Sequence, residues 1–218
     1  MYKIILFDLD GTITDSGPGI LNSIIYSLNK MGFSIPDDDT LNKFIGPPLI
    51  ASYAKYCGMT DEQTHEALAL YREYFVDKGM FENSVYEGIE DVFRSLKADG
   101  CRLVVATAKP DEFTKKILDY FNLTDYFDLI AAATMDEKRN TKDAVIGWAL
   151  DQLNITEENK SEVVMVGDRS QDISGAKMHG LNTIGVLYGY GSEKELSEAG
   201  ADHLAKRPED ILKYLKRG

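Results

Sequence analysis

The sequence has few cysteines. Cys57 and Cys101 stand far apart among 218 residues, without metal-ligand spacing. That excludes a disulfide framework and a cysteine metal site, and it fits two reduced thiols in a cytoplasmic protein. No apolar run approaches the roughly 20 residues of a spanning helix, so no membrane partner is expected. The chain opens directly onto a strand-like run, and no leader is expected ahead of it. Low-complexity and repeated stretches are missing, which excludes solenoids and disordered tails. Basic residues are in the minority: 24 Lys and Arg face 36 Asp and Glu, for a net charge of −12. A general binder of nucleic-acid polymers or anionic membranes needs the opposite balance.

What is present is a core. Hydrophobic residues make up 44% of the chain, enough for one large domain or a domain with an insertion. Apolar strand-like runs recur at Tyr2 to Phe7, Arg102 to Thr107, Leu129 to Ala133, Glu162 to Asp168 and Thr183 to Leu187. Helical periodicity separates the later ones, over Val85 to Ala98, Phe113 to Phe121 and Ala144 to Leu153. Strand and helix in alternation predict a parallel sheet with helices on both faces. Between Gly17 and Phe81 the rhythm breaks. Ile20, Leu21, Ile24, Ile25 and Leu28 make one apolar helical face, and Leu68, Tyr71, Tyr74 and Phe75 another. The expected fold class is therefore α/β, a Rossmann-like core over 1–15 and 82–218 with an all-helical cap inserted over 16–81. A cap placed beside the end of the first strand is expected to act as a lid.

Four segments carry chemistry, each at or just beyond a strand's carboxyl end, where open α/β sheets bind ligands. The first is Asp8-Leu9-Asp10-Gly11-Thr12. Two acids there are costly unless a cation pairs with them or a reaction uses them. One acid can attack phosphorus while the other moves a proton. The second is Thr107, whose hydroxyl can donate to a phosphoryl oxygen. The third is Lys138-Arg139-Asn140-Thr141-Lys142-Asp143. Any of its three cations can neutralise a phosphate; Lys142 is favoured because it opens the next helix. The fourth is Gly167-Asp168-Arg169-Ser170-Gln171-Asp172. Asp8 and Asp168, from two strand ends, offer the oxygen ligands that suit Mg²⁺. Gly189-Tyr190-Gly191 reads as a turn, and Ser192 with Glu195 as a capping box.

In order and spacing, these motifs resemble those of the haloacid-dehalogenase-like phosphatase superfamily, over essentially the whole chain. Phe44-Ile45-Gly46-Pro47-Pro48-Leu49 is similar to the helical-cap branch that includes phosphoglycolate phosphatases and bacterial 5′-nucleotidases. The resemblance implies a Mg²⁺-dependent phosphomonoesterase working through an aspartyl-phosphate. It implies Asp8 as nucleophile, Asp10 as proton donor and acceptor, and Thr107 and Lys142 as phosphate ligands. It also implies a metal held by Asp8, the Asp10 carbonyl and Asp168, with Asp172 in support. The expected substrate is a small phosphorylated metabolite, either phosphoglycolate or a nucleoside 5′-monophosphate, and the expected state is monomer or homodimer. Lys43 and Gly46 are candidate specificity residues, beside Phe44 and the two prolines. One departure stands out: Ala108 follows Thr107 where the family often has Asn. A sugar-phosphate mutase is an alternative, but mutases usually carry Glu-Asp at the fourth motif. A non-hydrolytic phospho-acceptor of the receiver type is another, although receivers are shorter and their acceptor is not on the first strand.

Overall fold

The computed structural model describes residues 2–134 and 138–215. It divides into two compact units: Asp15–Ser84, and the chain up to Thr14 together with that from Val85 onward.

The Asp15–Ser84 unit is helical. Its helices are α1 (Gly17–Met31), α2 (Asp38–Leu41), α3 (Leu49–Cys57) and α4 (Asp61–Asp77). A proline in its first turn starts α1, and Gly32 ends it in the left-handed region at φ 71°. Thr60 and Gln63 form a reciprocal capping box that opens α4. Inside, Ser27 Oγ and the Tyr53 hydroxyl lie 2.6 Å apart, so two buried hydroxyls satisfy each other. Phe44 packs on Tyr53 and Tyr56 at ring separations of 5.4 and 5.3 Å.

The larger unit is built on β1 (Ile4–Phe7). The chain leaves this unit and returns to it at β2 (Thr14–Asp15) and β3 (Ser84–Val85), two short strands that pair with each other. The main sheet is completed by β4 (Arg102–Pro110), β5 (Leu129–Ala133), β6 (Val163–Gly167), β7 (Asn182–Val186) and β8 (His203–Ala205). Its order is β5-β4-β1-β6-β7-β8, with every pairing parallel. Between strands run α5 (Ile89–Ala98), α6 (Asp111–Tyr120), α7 (Lys142–Gln152), α8 (Ser170–Met178) and α9 (Glu193–Glu198), and α10 (Ile211–Leu215) follows the last.

Parallel strands covered on both faces read as unbroken apolar runs, and β1 does so because its side chains alternate between two cores. Ile4 and Leu6 join Val145, Ile146 and Ala149 of α7 and Ala176 of α8. On the other face Phe7 meets Phe93 of α5 edge-on at 5.2 Å. Burial of each larger side chain here, such as Ile4, Leu6 or Phe7, contributes about 1.5–3 kcal/mol. The chain builds outward from β1 to β4 and β5, then returns to the opposite side for β6, β7 and β8. That reversal makes the carboxyl ends of β1 and β6 a topological switch point.

Candidate active site

Phe7 pairs in register with Val105 of β4 and Val166 of β6, so Asp8 leaves the sheet between two neighbours. The Asp8 amide still donates to Val166 O at 2.9 Å. The chain then folds back tightly. The amides of Thr12, Ile13 and Thr14 all reach Leu9 O, at 3.3, 2.9 and 3.0 Å. Gly11 allows this turn at φ 82°. A β-carbon there would stand 2.2 Å from Asp168 Oδ2, so the position excludes side chains on space as well as on φ.

Lys142 opens α7 and reaches back under this loop. Its Nζ lies 2.6 Å from Asp8 Oδ1 and 2.7 Å from Asp172 Oδ1, and it donates to Ala106 O at 3.0 Å. All three side chains are buried. Burial alone would push the Lys142 ammonium toward neutrality. Asp172 and Asp8 outweigh that and hold it charged, above the ordinary lysine range.

Asp168 is fully buried at the end of β6. Its Oδ2 accepts from the Tyr190 amide at 2.8 Å, and Thr12 Oγ1 stands 3.5 Å from its Oδ1. Asp172 lies in the first turn of α8, where its Oδ2 accepts from the Arg169 amide at 3.0 Å. Gly167 makes room for it, since a β-carbon there would fall 2.3 Å from Asp172 Cβ. Asp8, Asp168 and Asp172 thus present oxygens within 4.8 Å of one another.

This cluster carries more negative charge than its lysine answers. Burial, then Asp172, push the Asp8 carboxyl up to about 7 against the pull of Lys142. Burial, then Asp172 and Asp8, push Asp168 well above the carboxylate range. Asp8 Oδ1 and Asp172 Oδ1 are buried without a well-aligned hydrogen bond, each against the Lys142 ammonium. Three buried oxygen donors with unanswered charge fit a small divalent cation.

Asp10 is handled separately. Both its carboxylate oxygens lie close to Lys109 Nζ, at 3.1 and 3.0 Å. Thr107, two residues before Lys109, is buried, and its Oγ1 accepts from the Lys109 amide at 3.2 Å. Lys109 did not feature in the sequence reading. The β4 run looked complete at Thr107, and the strand in fact continues to Pro110 across a register shift. A lysine two residues past a strand-end hydroxyl was the available signal.

The model of the haloacid dehalogenase-like hydrolase family matches residues 5–186. The chain belongs to this family. Among relatives, it is 39% identical over 195 residues to a 5′-nucleotidase of Pseudomonas aeruginosa, covering 89% of this chain and 87% of that one. A phosphoglycolate phosphatase of Aquifex aeolicus is 32% identical, with 98% and 96% covered. A tyrosine-protein kinase of Mycobacterium tuberculosis is 38% identical, but the match spans 63% of that protein's length. The solved structure of a predicted phosphatase from Clostridium acetobutylicum superposes with a TM-score of 0.92 at 46% identity, covering 99% and 98% of the two chains.

Of the three cations in the third motif, Lys142 joins the acids. Arg139 instead stacks on Trp148, 4.0 Å from the ring centre, and donates to Ala132 O at 2.9 Å, while Lys138 is exposed. Gly189-Tyr190-Gly191 does more than turn the chain. A β-carbon at Gly191 would lie 1.8 Å from Asp168 O, and one at Gly189 would lie 2.2 Å from Gly11 O. The expected capping box at Ser192 is only half made. Ser192 Oγ accepts from the Glu195 amide, but the Glu195 carboxylate turns to Arg169 Nε and the Ser170 amide, at 3.0 and 2.9 Å. Arg169 offers it a full charge, which outcompetes a backbone N–H. In the Asp15–Ser84 unit, Lys43 is exposed on a short 3-10 turn, Gly46 is exposed at φ 104°, and Phe44 is a core residue. Among the described residues no helix is long and apolar enough to cross a membrane.

Proposed function

We propose that this chain is a Mg²⁺-dependent phosphomonoesterase acting through an aspartyl-phosphate. The observation that carries the reading is the separation of its first two acids. Asp8 sits in a buried carboxylate cluster against Lys142, while Asp10 is paired apart from it with Lys109. One is equipped as a nucleophile, with the Lys142 ammonium opposing its protonation, the other as a proton carrier. An Asp8 oxygen bonds to phosphorus as the bond from phosphorus to the leaving oxygen breaks, and Asp10 gives that oxygen its proton. Water then attacks the same phosphorus, Asp10 takes the water's proton, and Asp8 is released with inorganic phosphate. The Thr107 hydroxyl and the Lys142 ammonium hold phosphoryl oxygens. Asp8, Asp168 and the Asp10 carbonyl would hold the Mg²⁺, with Asp172 in support; the ion supplies positive charge for the phosphoryl oxygens.

The substrate proposed is a small phosphorylated metabolite. The names of the relatives support phosphoglycolate and nucleoside 5′-monophosphates as first candidates. Lys43 and Gly46 are proposed to read it, with the helical unit as a lid. The test is Mg²⁺-dependent phosphate release from p-nitrophenyl phosphate, then from phosphoglycolate, nucleoside monophosphates and sugar phosphates. Turnover that vanishes in Asp8→Asn supports the reading. A stable phosphoprotein without turnover points to a phospho-acceptor, and isomerised sugar phosphate without release to a mutase.

A further inference from the structure

We propose that Lys109 is a positioning residue for Asp10, holding the proton-carrying carboxylate in the one rotamer that can serve the leaving group. The inference rests on the phosphomonoesterase reading and deepens it. Lys109 approaches both Asp10 oxygens, at 3.1 and 3.0 Å, so the contact fixes the plane of the carboxylate as well as its place. The lysine side chain is 6% exposed and that of Asp10 18%, so the pair is shielded from competing water. The lysine is itself held at its backbone. Its amide donates to Thr107 Oγ1 at 3.2 Å, and its carbonyl accepts from Thr114 Oγ1 of α6 at 3.3 Å.

The site therefore contains two lysine–aspartate pairs with different duties. Lys142 bridges Asp8 and Asp172 inside the carboxylate cluster. Lys109 is paired with the acid outside that cluster. Proton transfer demands that Asp10 lie within hydrogen-bond reach of the leaving oxygen when the phosphorus–oxygen bond breaks. A free aspartate samples several rotamers, and only a fraction of them aim correctly. A fixed ammonium across both oxygens removes that freedom. The proton Asp10 gives to the leaving oxygen is regained from the attacking water, so the cycle closes on Asp10 and the lysine itself donates no proton.

The consequence is a dependence on leaving group. p-Nitrophenolate departs with little protonation, whereas an alkoxide needs it. Lys109→Met keeps the length of the stem and removes the charge. It should lower kcat on an alkyl ester such as glycerol phosphate at least tenfold more than on p-nitrophenyl phosphate, within the range of about 10²–10⁴ that general acid catalysis supplies. Lys109→Arg should restore most of the difference. In an Asp10→Asn background, Lys109→Met should add little further loss on the alkyl ester, because the two act as one unit. Equal losses on both esters, or a rise in KM alone, would mean that Lys109 binds phosphate or supports the fold, and would overturn the proposal. If Lys109→Met does not fold, as judged by circular dichroism, Lys109→Gln carries the same comparison. Wild-type protein that turns over neither ester overturns the phosphomonoesterase reading, and this inference with it.

Discussion

The Lys142 ammonium lies 2.6 Å from Asp8 Oδ1, with both side chains buried at the carboxyl edge of the sheet. A buried pair is costly to break from one side, because the partner left behind keeps its charge without an answer. Lys142→Met strands Asp8 and Asp172 together. It should lower stability by about 3 kcal/mol and kcat/KM by about 10²–10³-fold, as loss of a charge-stabilising donor does. Adding Asp172→Asn to Lys142→Met should recover part of the stability and none of the activity. Denaturant unfolding of the three proteins checks this, and an additive loss in the double variant would refute it.

The strand-end acids were legible because an apolar run that stops at a carboxylate is unusual, and the run occurs twice, at Asp8 and at Asp168. Lys142 was legible through the apolar face of the helix it opens. Lys109 was not: a lysine after a strand reads as solvated, and its meaning comes from Asp10, 99 residues earlier in the chain. The glycines after β7 carried no local sign either. Their constraints are Gly11 O at Gly189 and Asp168 O at Gly191, groups that only the fold brings to them. Three-residue β8 lacked any run long enough to show a period. Local pattern thus marked the groups that chemistry requires and missed those that only tertiary contact defines.

The cation-free protein should lose stability as pH rises. Asp8 titrates near 7 in the folded chain, above the ordinary carboxyl value of 3.8, and Asp168 is shifted in the same direction. Folding therefore favours their protonated forms. The stabilisation this brings is complete below the unfolded value and disappears as pH climbs through about 7. In EDTA, Tm should fall between pH 5.5 and pH 8.5. Saturating Mg²⁺ should flatten that fall, and Asp8→Asn should lessen it without the metal. A Tm that rises over the same interval in EDTA would contradict the assignment.

Asp202 works in the opposite sense, away from the site. Its Oδ2 accepts from the Thr183 amide, Thr183 Oγ1 and Lys177 Nζ, at 2.8, 3.0 and 2.6 Å. Burial opposes ionisation there, but Lys177 and Thr183 prevail and hold the carboxyl below its ordinary value. Its contribution is present above the unfolded pKa and is lost as pH falls through the folded one. Asp202→Asn should cost about 1 kcal/mol at neutral pH and progressively less toward pH 3, with catalytic constants unchanged. Urea midpoints at the two pH values measure the difference.

Gly191 ties the loop after β7 to Asp168, the acid proposed as a Mg²⁺ ligand. A methyl group there would press to 1.8 Å of Asp168 O, a backbone atom at the end of β6 that has little room to yield. Gly200 provides the contrast. Its φ is 88°, yet nothing lies within 4 Å of the added carbon, so Gly200→Ala meets only the left-handed strain of about 1 kcal/mol. Gly191→Ala should cost about 1–3 kcal/mol through overpacking. It should also raise the Mg²⁺ concentration needed for half-maximal activity, because the chain that carries Asp168 must shift. Gly200→Ala should leave that concentration alone. Magnesium titrations of the two variants separate the effects: an unchanged requirement in a folded Gly191→Ala protein would show that the loop supports the fold without positioning Asp168.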